Sequence, residues 1–218
     1  MDRYREFRND VLAGIIRETF PSESLRILEV GCGTGLSLDH LSRDPLRHRL
    51  FGMDASETML LQAAEKAAGR ENPPKLLLAD ASQLPYPDGW FDVVFATRFI
   101  HQFEHETKRR LWKEMNRVTR PGGIVIVEFY ARPYHWLRYH LGAHKGKSKQ
   151  AYFLHFPSRE QVRDIVDDGF VIHPLRLAGA KLAARVLSDS QLRTVTRAAG
   201  RLLGGALLDE YFLAARKP

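Results

Sequence analysis

Short runs of large apolar and β-branched residues alternate with stretches of helical period along almost the whole chain, and this alternation limits the fold to one broad class. Runs at 25–30, 49–53, 75–79, 91–96, 123–129, 170–175 and 210–215 read as strands. Stretches at 2–20, 36–43, 56–70, 104–119, 158–168 and 181–203 read as helices. In the first stretch Tyr4, Phe7, Val11, Leu12 and Ile15 recur at helical steps, and Pro21 ends it. Strands separated by helical stretches of this length pair in parallel, because each crossover helix must pack back onto the sheet. The expected fold class is therefore α/β, a doubly wound, mostly parallel sheet with helices on both faces.

A chain of 218 residues has room for one full core, so the expectation is a single domain over 1–218. Within it we read an N-terminal helix or lid (1–22), a ligand-binding core (25–130), a cap (131–156) and a completion of the sheet (157–218). The cap has no clean period, and a long irregular connection in a compact domain is usually functional. With 27% charged and 44% hydrophobic residues, the composition is globular and excludes a disordered chain. Cys32 is the only cysteine, which excludes a disulfide framework, a cysteine-rich metal site and paired-thiol chemistry. No metal ligand set is expected. The charged amino terminus is not a secretory signal and no run of 18 apolar residues occurs, so a soluble, cytoplasmic protein is expected.

Charge is unevenly placed. Residues 1–130 hold 18 basic and 19 acidic side chains, whereas residues 131–218 hold 15 and 7. Arg132, Arg138, Lys145, Lys147 and Lys149 fall in the cap beside Tyr134, Trp136 and Tyr139, with no acid from 131 to 150. Such a surface suits anionic partners, or it is merely a solvated face. Arg193, Arg197 and Arg201 form a stripe that could touch an anionic membrane surface, although a solvated helix face is the commoner reason for one.

The first strand, LRILEV, runs into Gly31-Cys32-Gly33-Thr34-Gly35 and then a helix. Glycines there allow a tight turn and close approach of a ligand to backbone N–H groups. The GxGxG spacing and Glu29 before it lean away from a dinucleotide site. The second strand ends in Asp54, where a carboxylate can accept both hydroxyl protons of a ribose, or can help open the helix at Ser56. Asp80 ends the third strand and can accept from an exocyclic amine. The Pro87-Asp88-Gly89 turn then delivers the fourth strand, with Asp92 in a structural role.

LEVGCGTG, GMDAS, LLLADASQLPYPDGWFDVV and NRVTRPGGIVIVEF, in that order and spacing over roughly residues 25–130, resemble the successive motifs of the class I S-adenosylmethionine (SAM)-dependent methyltransferases of small molecules. The resemblance implies a Rossmann-like sheet of seven strands in the order 3-2-1-4-5-7-6, the last antiparallel, and SAM as cofactor. It implies that Gly31, Gly33 and Gly35 face the methionyl part and that Glu29 helps position it. Asp54 would hold the ribose, Asp80 and Ala81 the adenine, and Ala96 and Thr97 would lie beside the adenosine. Cys32, Ala55 and Met59 complete the implied cofactor contacts. Arg98 could reach the SAM carboxylate, the acceptor or only solvent. Pro121-Gly122-Gly123 would be the turn into the fifth strand.

With an activated sulfonium as donor, transfer needs chiefly alignment and a nucleophile with a free lone pair. A base is needed only where the acceptor holds its proton. His101, just after the fourth strand, is the leading candidate, with Tyr130 next. Tyr4, His135, Tyr139, His140 and Tyr152 are the candidate acceptor-binding residues, and His144 and His155 are further bases. Against the family's subclasses, the fourth strand exits as Ala96-Thr97-Arg98-Phe99. It lacks the Asn/Asp-Pro-Pro-aromatic of planar-amine enzymes and the metal-binding acid of catechol-type ones. Cytosine C5 and arsenic enzymes need cysteines placed elsewhere, and the first lysine, Lys66, comes too late for the ribose 2′-O type. The expected partner is a small molecule, anionic or lipid-like, rather than a nucleic acid, since no RNA-binding appendage is present. The alternative is a SAM- or nucleoside-binding regulatory subunit without catalysis; a dehydrogenase stands further back.

Overall fold

The computed structural model describes residues 3–130, 159–166, 170–177 and 208–218. In chain order they form α1 (Arg3–Thr19), β1 (Arg26–Val30), α2 (Leu36–Leu41), β2 (Arg49–Asp54), α3 (Glu57–Ala67), β3 (Lys75–Leu78) and β4 (Phe91–Ala96). A 3₁₀ turn (Ile100–Gln102) and α4 (His105–Val118) follow. Then come β5 (Thr119–Tyr130), α5 (Arg159–Ile165), β6 (Phe170–Leu177) and β7 (Leu208–Arg216). The cap over 131–156 and the helix expected over 181–203 lie outside the described residues.

The strands make one seven-stranded sheet in the order β3-β2-β1-β4-β5-β7-β6. β1 to β5 pair in parallel, and β7 runs antiparallel to both β5 and β6. This is the expected Rossmann-like topology. The strand order reverses between β1 and β4, and such sheets receive ligands beyond the carboxyl ends of the strands at that point.

Side chains alternate across the pleat and divide the core in two. Leu28, Val30, Val94, Val125 and Val127 face α4 and α5 with Leu111, Trp112, Met115 and Val162. Ile27, Val93, Phe95 and Ile126 face the other way, onto Leu12 and Ile16 of α1, Phe20 just after it and Leu38 of α2. β3, at the edge, leaves Leu77 and Leu78 exposed, so its continuous apolar run is not a buried one. The buried stripe of α1 centres on Leu12, Ile15 and Ile16 and extends to Arg8 and Asn9, whereas Phe7 and Val11 are only half-buried.

Of the boundaries that differ from expectation, two have a clear cause. β5 begins at Thr119, before the Pro-Gly-Gly turn, because Thr119 already pairs with Phe91 and because backbone bonds between Gly122, Gly123 and Lys217 carry the ladder through the irregularity. β6 runs to Leu177 through Pro174, which its edge position tolerates. Asp92 is structural as expected, accepting from the Arg26 amide at 2.7 Å and from Arg120 Nε at 2.6 Å.

Candidate active site

β1 delivers the chain into the glycine loop with three left-handed turns, Gly31, Gly33 and Gly35 at φ 69°, 51° and 68°. Each glycine has a different neighbour. A Cβ on Gly31 would sit 2.1 Å from the Phe99 ring, and one on Gly35 would sit 3.0 Å from Ala63 Cβ. One on Gly33 would meet nothing within 4 Å among the described residues beyond its chain neighbours. The loop therefore packs tightly at its two ends and presents its middle outward.

Asp54, at the end of β2, is held on both oxygens: Oδ2 accepts from the Gly33 amide at 2.8 Å and Oδ1 from the Ser56 amide at 2.9 Å. The helix-opening role belongs to Ser56, whose side chain accepts from the Met59 amide. Ala55 and the Met59 side chain are exposed on this same rim. Asp80 is exposed and accepts from the Ser82 amide at 2.8 Å, a bond that holds its carboxyl below the usual range; Ala81 beside it is half-buried. Cys32 is buried, and burial with Glu29 and Asp54 nearby pushes its thiol far up, so it is no nucleophile.

Glu29 is 1% exposed. Its Oε1 accepts from Thr97 Oγ1 at 2.9 Å, while Oε2 is buried without a hydrogen-bond partner among the described residues. Burial pushes its carboxyl up to about 8, against the opposing pull of Thr97, Ser37 and Arg8. Ser37 bridges Thr97 and Asn9, each at 3.4 Å, which links α2, β4 and α1 around this acid. Thr97 is thus an anchor of Glu29. It follows Ala96, itself buried at the end of β4.

Folded, Glu29 holds its proton to about pH 8; its ordinary value is 4.5. The folded state then binds more protons than the unfolded chain between those values. Its contribution is fully present below pH 4.5 and is lost as pH rises through 8. Glu29→Gln should accordingly flatten the decline in stability by on the order of 1–3 kcal/mol between pH 5 and 7, read as the difference in urea midpoints. An unchanged slope would place the ionised form in the native state.

Beyond Thr97 the chain turns sharply. Arg98 is exposed at φ 52°, a left-handed conformation rare outside glycine, and its amide donates to Glu128 Oε2 at 2.7 Å. The 3₁₀ turn then carries His101, whose ring meets Tyr130 edge-on at 5.1 Å with planes at 90°. The two leading candidates for acceptor chemistry, 29 positions apart in sequence, are thereby neighbours at the ends of β4 and β5. Both are half-buried. The acceptor candidates His135, Tyr139, His140 and Tyr152 lie outside the described residues; Tyr4 belongs to the first turn of α1.

A methyltransferase domain model matches residues 28–127, the span that holds this loop, Asp54, Asp80 and the β4 exit. The chain is 30% identical over 181 residues to a demethylmenaquinone methyltransferase of Staphylococcus aureus (strain JH9), covering 72% of each protein. It belongs to the SAM-dependent methyltransferases. A phosphatidylethanolamine N-methyltransferase of Cereibacter sphaeroides is 44% identical over 110 residues, and there the chain spans about half of the relative, 49% of this chain against 52% of that one. Among solved structures, magnesium protoporphyrin IX methyltransferase from Synechocystis PCC 6803 with bound SAH superposes with a TM-score of 0.66 at 17% identity, covering 98% of this chain and 83% of that one. At that identity the likeness is one of fold. The methyl donor of the family is SAM.

The motifs do not reveal the buried charges behind the β4 exit. Arg8, Glu128 and Glu210 are each no more than 3% exposed. Arg8 Nη1 lies 3.9 Å from the same Glu128 oxygen that holds the Arg98 amide. Burial and a hydrogen bond with Glu210 push the Glu128 carboxyl well above its usual range. The one signal in sequence is an acid inside the apolar run IVIVEFY.

Proposed function

We propose that the protein transfers the methyl group of SAM to a small-molecule acceptor, lipid-like or anionic, by in-line displacement in the cytoplasm. The residues present suit such a cofactor. The outward middle of the glycine loop at Gly33 lets a ligand approach the backbone, and the unpartnered Glu29 Oε2 awaits a donor. Asp54 has both oxygens oriented in advance by backbone amides. When bound, the sulfonium supplies an electrophilic methyl group, so the protein need only align, desolvate and, for some acceptors, deprotonate.

In this reading Gly31, Gly33 and Gly35 shape the seat of the methionyl part and Glu29 receives it. Asp54 accepts from the ribose hydroxyls, while Asp80 and Ala81 border the adenine. Ala96 and Thr97 form the floor between them, and Cys32, Ala55 and Met59 line the rim. Arg98 is the exposed cation available to a carboxylate of donor or acceptor. His101 takes the acceptor's proton where it has one to lose, with Tyr130 fixing the plane of the ring. The edge-on approach of these two rings at the mouth of the sheet carries the reading, since a mere cofactor sensor has no use for it. The relatives named for phosphatidylethanolamine and demethylmenaquinone, a phospholipid and a quinone, support a lipid-like acceptor.

The test is incubation of the protein with methyl-labelled SAM and a cell extract, followed by partition between chloroform–methanol and water. Label in extractable lipid, or in a small aqueous anion, supports the reading and says which class is methylated. Label remaining wholly on SAM, with SAM bound, would favour the non-catalytic regulatory subunit. A second expectation concerns the basic cap. Charge reversal at Lys145, Lys147 and Lys149 should raise the acceptor's KM more than it lowers kcat, with the effect shrinking as salt rises. Native KM in that variant would make the segment only a solvated loop.

A further inference from the structure

Three consecutive residues after β4 each reach a different anchor. Thr97 Oγ1 donates to Glu29, the Arg98 amide donates to Glu128, and the Phe99 ring fills the space over Gly31. The middle anchor is the unusual one. Glu128 Oε2 receives the Arg98 amide at 2.7 Å and faces Arg8 Nη1 of α1 at 3.9 Å. The neighbouring residue on α1, Asn9, reaches Leu36 O and Ser37 at the opening of α2, directly after the glycine loop. Both α1 residues are buried, Arg8 at 3% and Asn9 at 6%, beside the apolar stripe of Leu12, Ile15 and Ile16.

From this geometry we infer that Glu128 is a positioning residue for the cofactor site, one oxygen of which makes the seating of α1 and the left-handed turn at Arg98 a single event. The inference rests on the cofactor reading above. The physical reasons are local. A non-glycine residue at positive φ is strained and persists only where its surroundings hold it. Here a carboxylate, itself buried, accepts the amide that the turn exposes. That carboxylate needs a cation beside it, and Arg8 on α1 supplies one. With α1 undocked, Glu128 would face Glu210 without that cation. Glu128, which burial and Glu210 already push above its usual range, would then lose the opposing pull of Arg8 and hold the Arg98 amide more weakly. Release at Arg98 would free Phe99 from Gly31 and so loosen the glycine loop. The N-terminal helix would thereby set cofactor affinity without having to touch the cofactor.

Calorimetric titration with S-adenosylhomocysteine (SAH), the demethylated product, tests this without any acceptor. Arg8→Met and Glu128→Gln should each weaken SAH binding about tenfold, as expected when the binding-competent conformation falls to about a tenth of the population. The double variant should recover to within about threefold of the unmodified protein. Gln still accepts from the Arg98 amide, and the cation and the carboxylate that faced each other are removed together. Two results would overturn the inference. One is single variants that melt lower yet bind SAH unchanged, the mark of a merely structural cluster. The other is losses that simply multiply in the double variant. Should a variant fail to fold, hydrogen exchange on the unmodified protein decides instead. The Arg98 amide and the amides of α1 around Arg8 should gain protection together on SAH addition; protection of one without the other would refute the coupling. Absence of SAH binding by the unmodified protein would overturn the cofactor reading itself.

Discussion

Asp54→Ala should weaken SAM and SAH binding about 5- to 150-fold, and the structure adds a reason to the simple loss of a ribose acceptor. Two buried hydroxyls left unpaired cost about 1–3 kcal/mol, and 1.4 kcal/mol is tenfold in affinity. Asp54 also ties the second glycine of the loop, through Oδ2 to the Gly33 amide, and the start of α3, through Oδ1 to the Ser56 amide. Removing it frees the loop as well as the diol, so the upper half of the range is expected. Asp54→Asn separates the two roles. Its amide oxygen can keep one backbone bond, but its NH₂ cannot accept, so binding should fall less than in the alanine variant while stability stays nearer native. Calorimetry finding unchanged SAM affinity in Asp54→Ala would sink the assignment.

The second large effect is expected at Gly31. Its φ of 69° suits glycine, and an added Cβ would stand 2.1, 2.5 and 2.7 Å from three carbons of the Phe99 ring. The left-handed conformation costs about 1–2 kcal/mol with a Cβ and the overpacking about 1–3 kcal/mol, or about 2–5 kcal/mol together. At roughly 2–4 °C per kcal/mol for a domain of this size, Gly31→Ala should melt about 4–20 °C lower. Relief by Phe99→Leu in the same chain would identify the ring as the cause. Gly33→Ala makes the opposite pairing. Its Cβ meets nothing within 4 Å among the described residues beyond its chain neighbours, so melting should drop only a few degrees, from strain of about 1 kcal/mol at φ 51°, while SAM binding is lost. A Gly31→Ala protein melting as the native one does would mean that Phe99 does not pack there.

How much of this was legible depends on whether the relevant physics is local. The glycine loop and the acid that closes the second strand were readable because each is a short-range pattern, whereas the sheet order came only with the family resemblance over residues 25–130. The inner edges of β4 and of α4 fell within a residue or two because apolar periodicity and burial agree there. β5 was misjudged at its start because its pairing with β4 and with the chain end at Lys217 is set by partners far off in sequence. Thr97 was read only as bordering the adenosine; no local pattern showed that its hydroxyl donates to Glu29, 68 positions earlier. Nothing in the sequence singled out Arg8. It is buried because the helix rolls toward Leu12 and Ile16 and carries Arg8 onto Glu128. No spacing rule foretells a buried ion pair between α1 and β5, and only the strand acid Glu128 hinted at one. The edge-on pairing of His101 with Tyr130 was likewise out of reach, although each had been singled out on its own.

The central claim is that this glycine loop, closed by Asp54 and backed by Glu29, is a SAM site rather than a dinucleotide site. Parallel calorimetric titrations of the unmodified protein with SAM, SAH and NAD test it most directly. The account predicts saturable binding of SAM and SAH to one competing site and no measurable binding of NAD. Tight binding of NAD, or none of SAM, would contradict it.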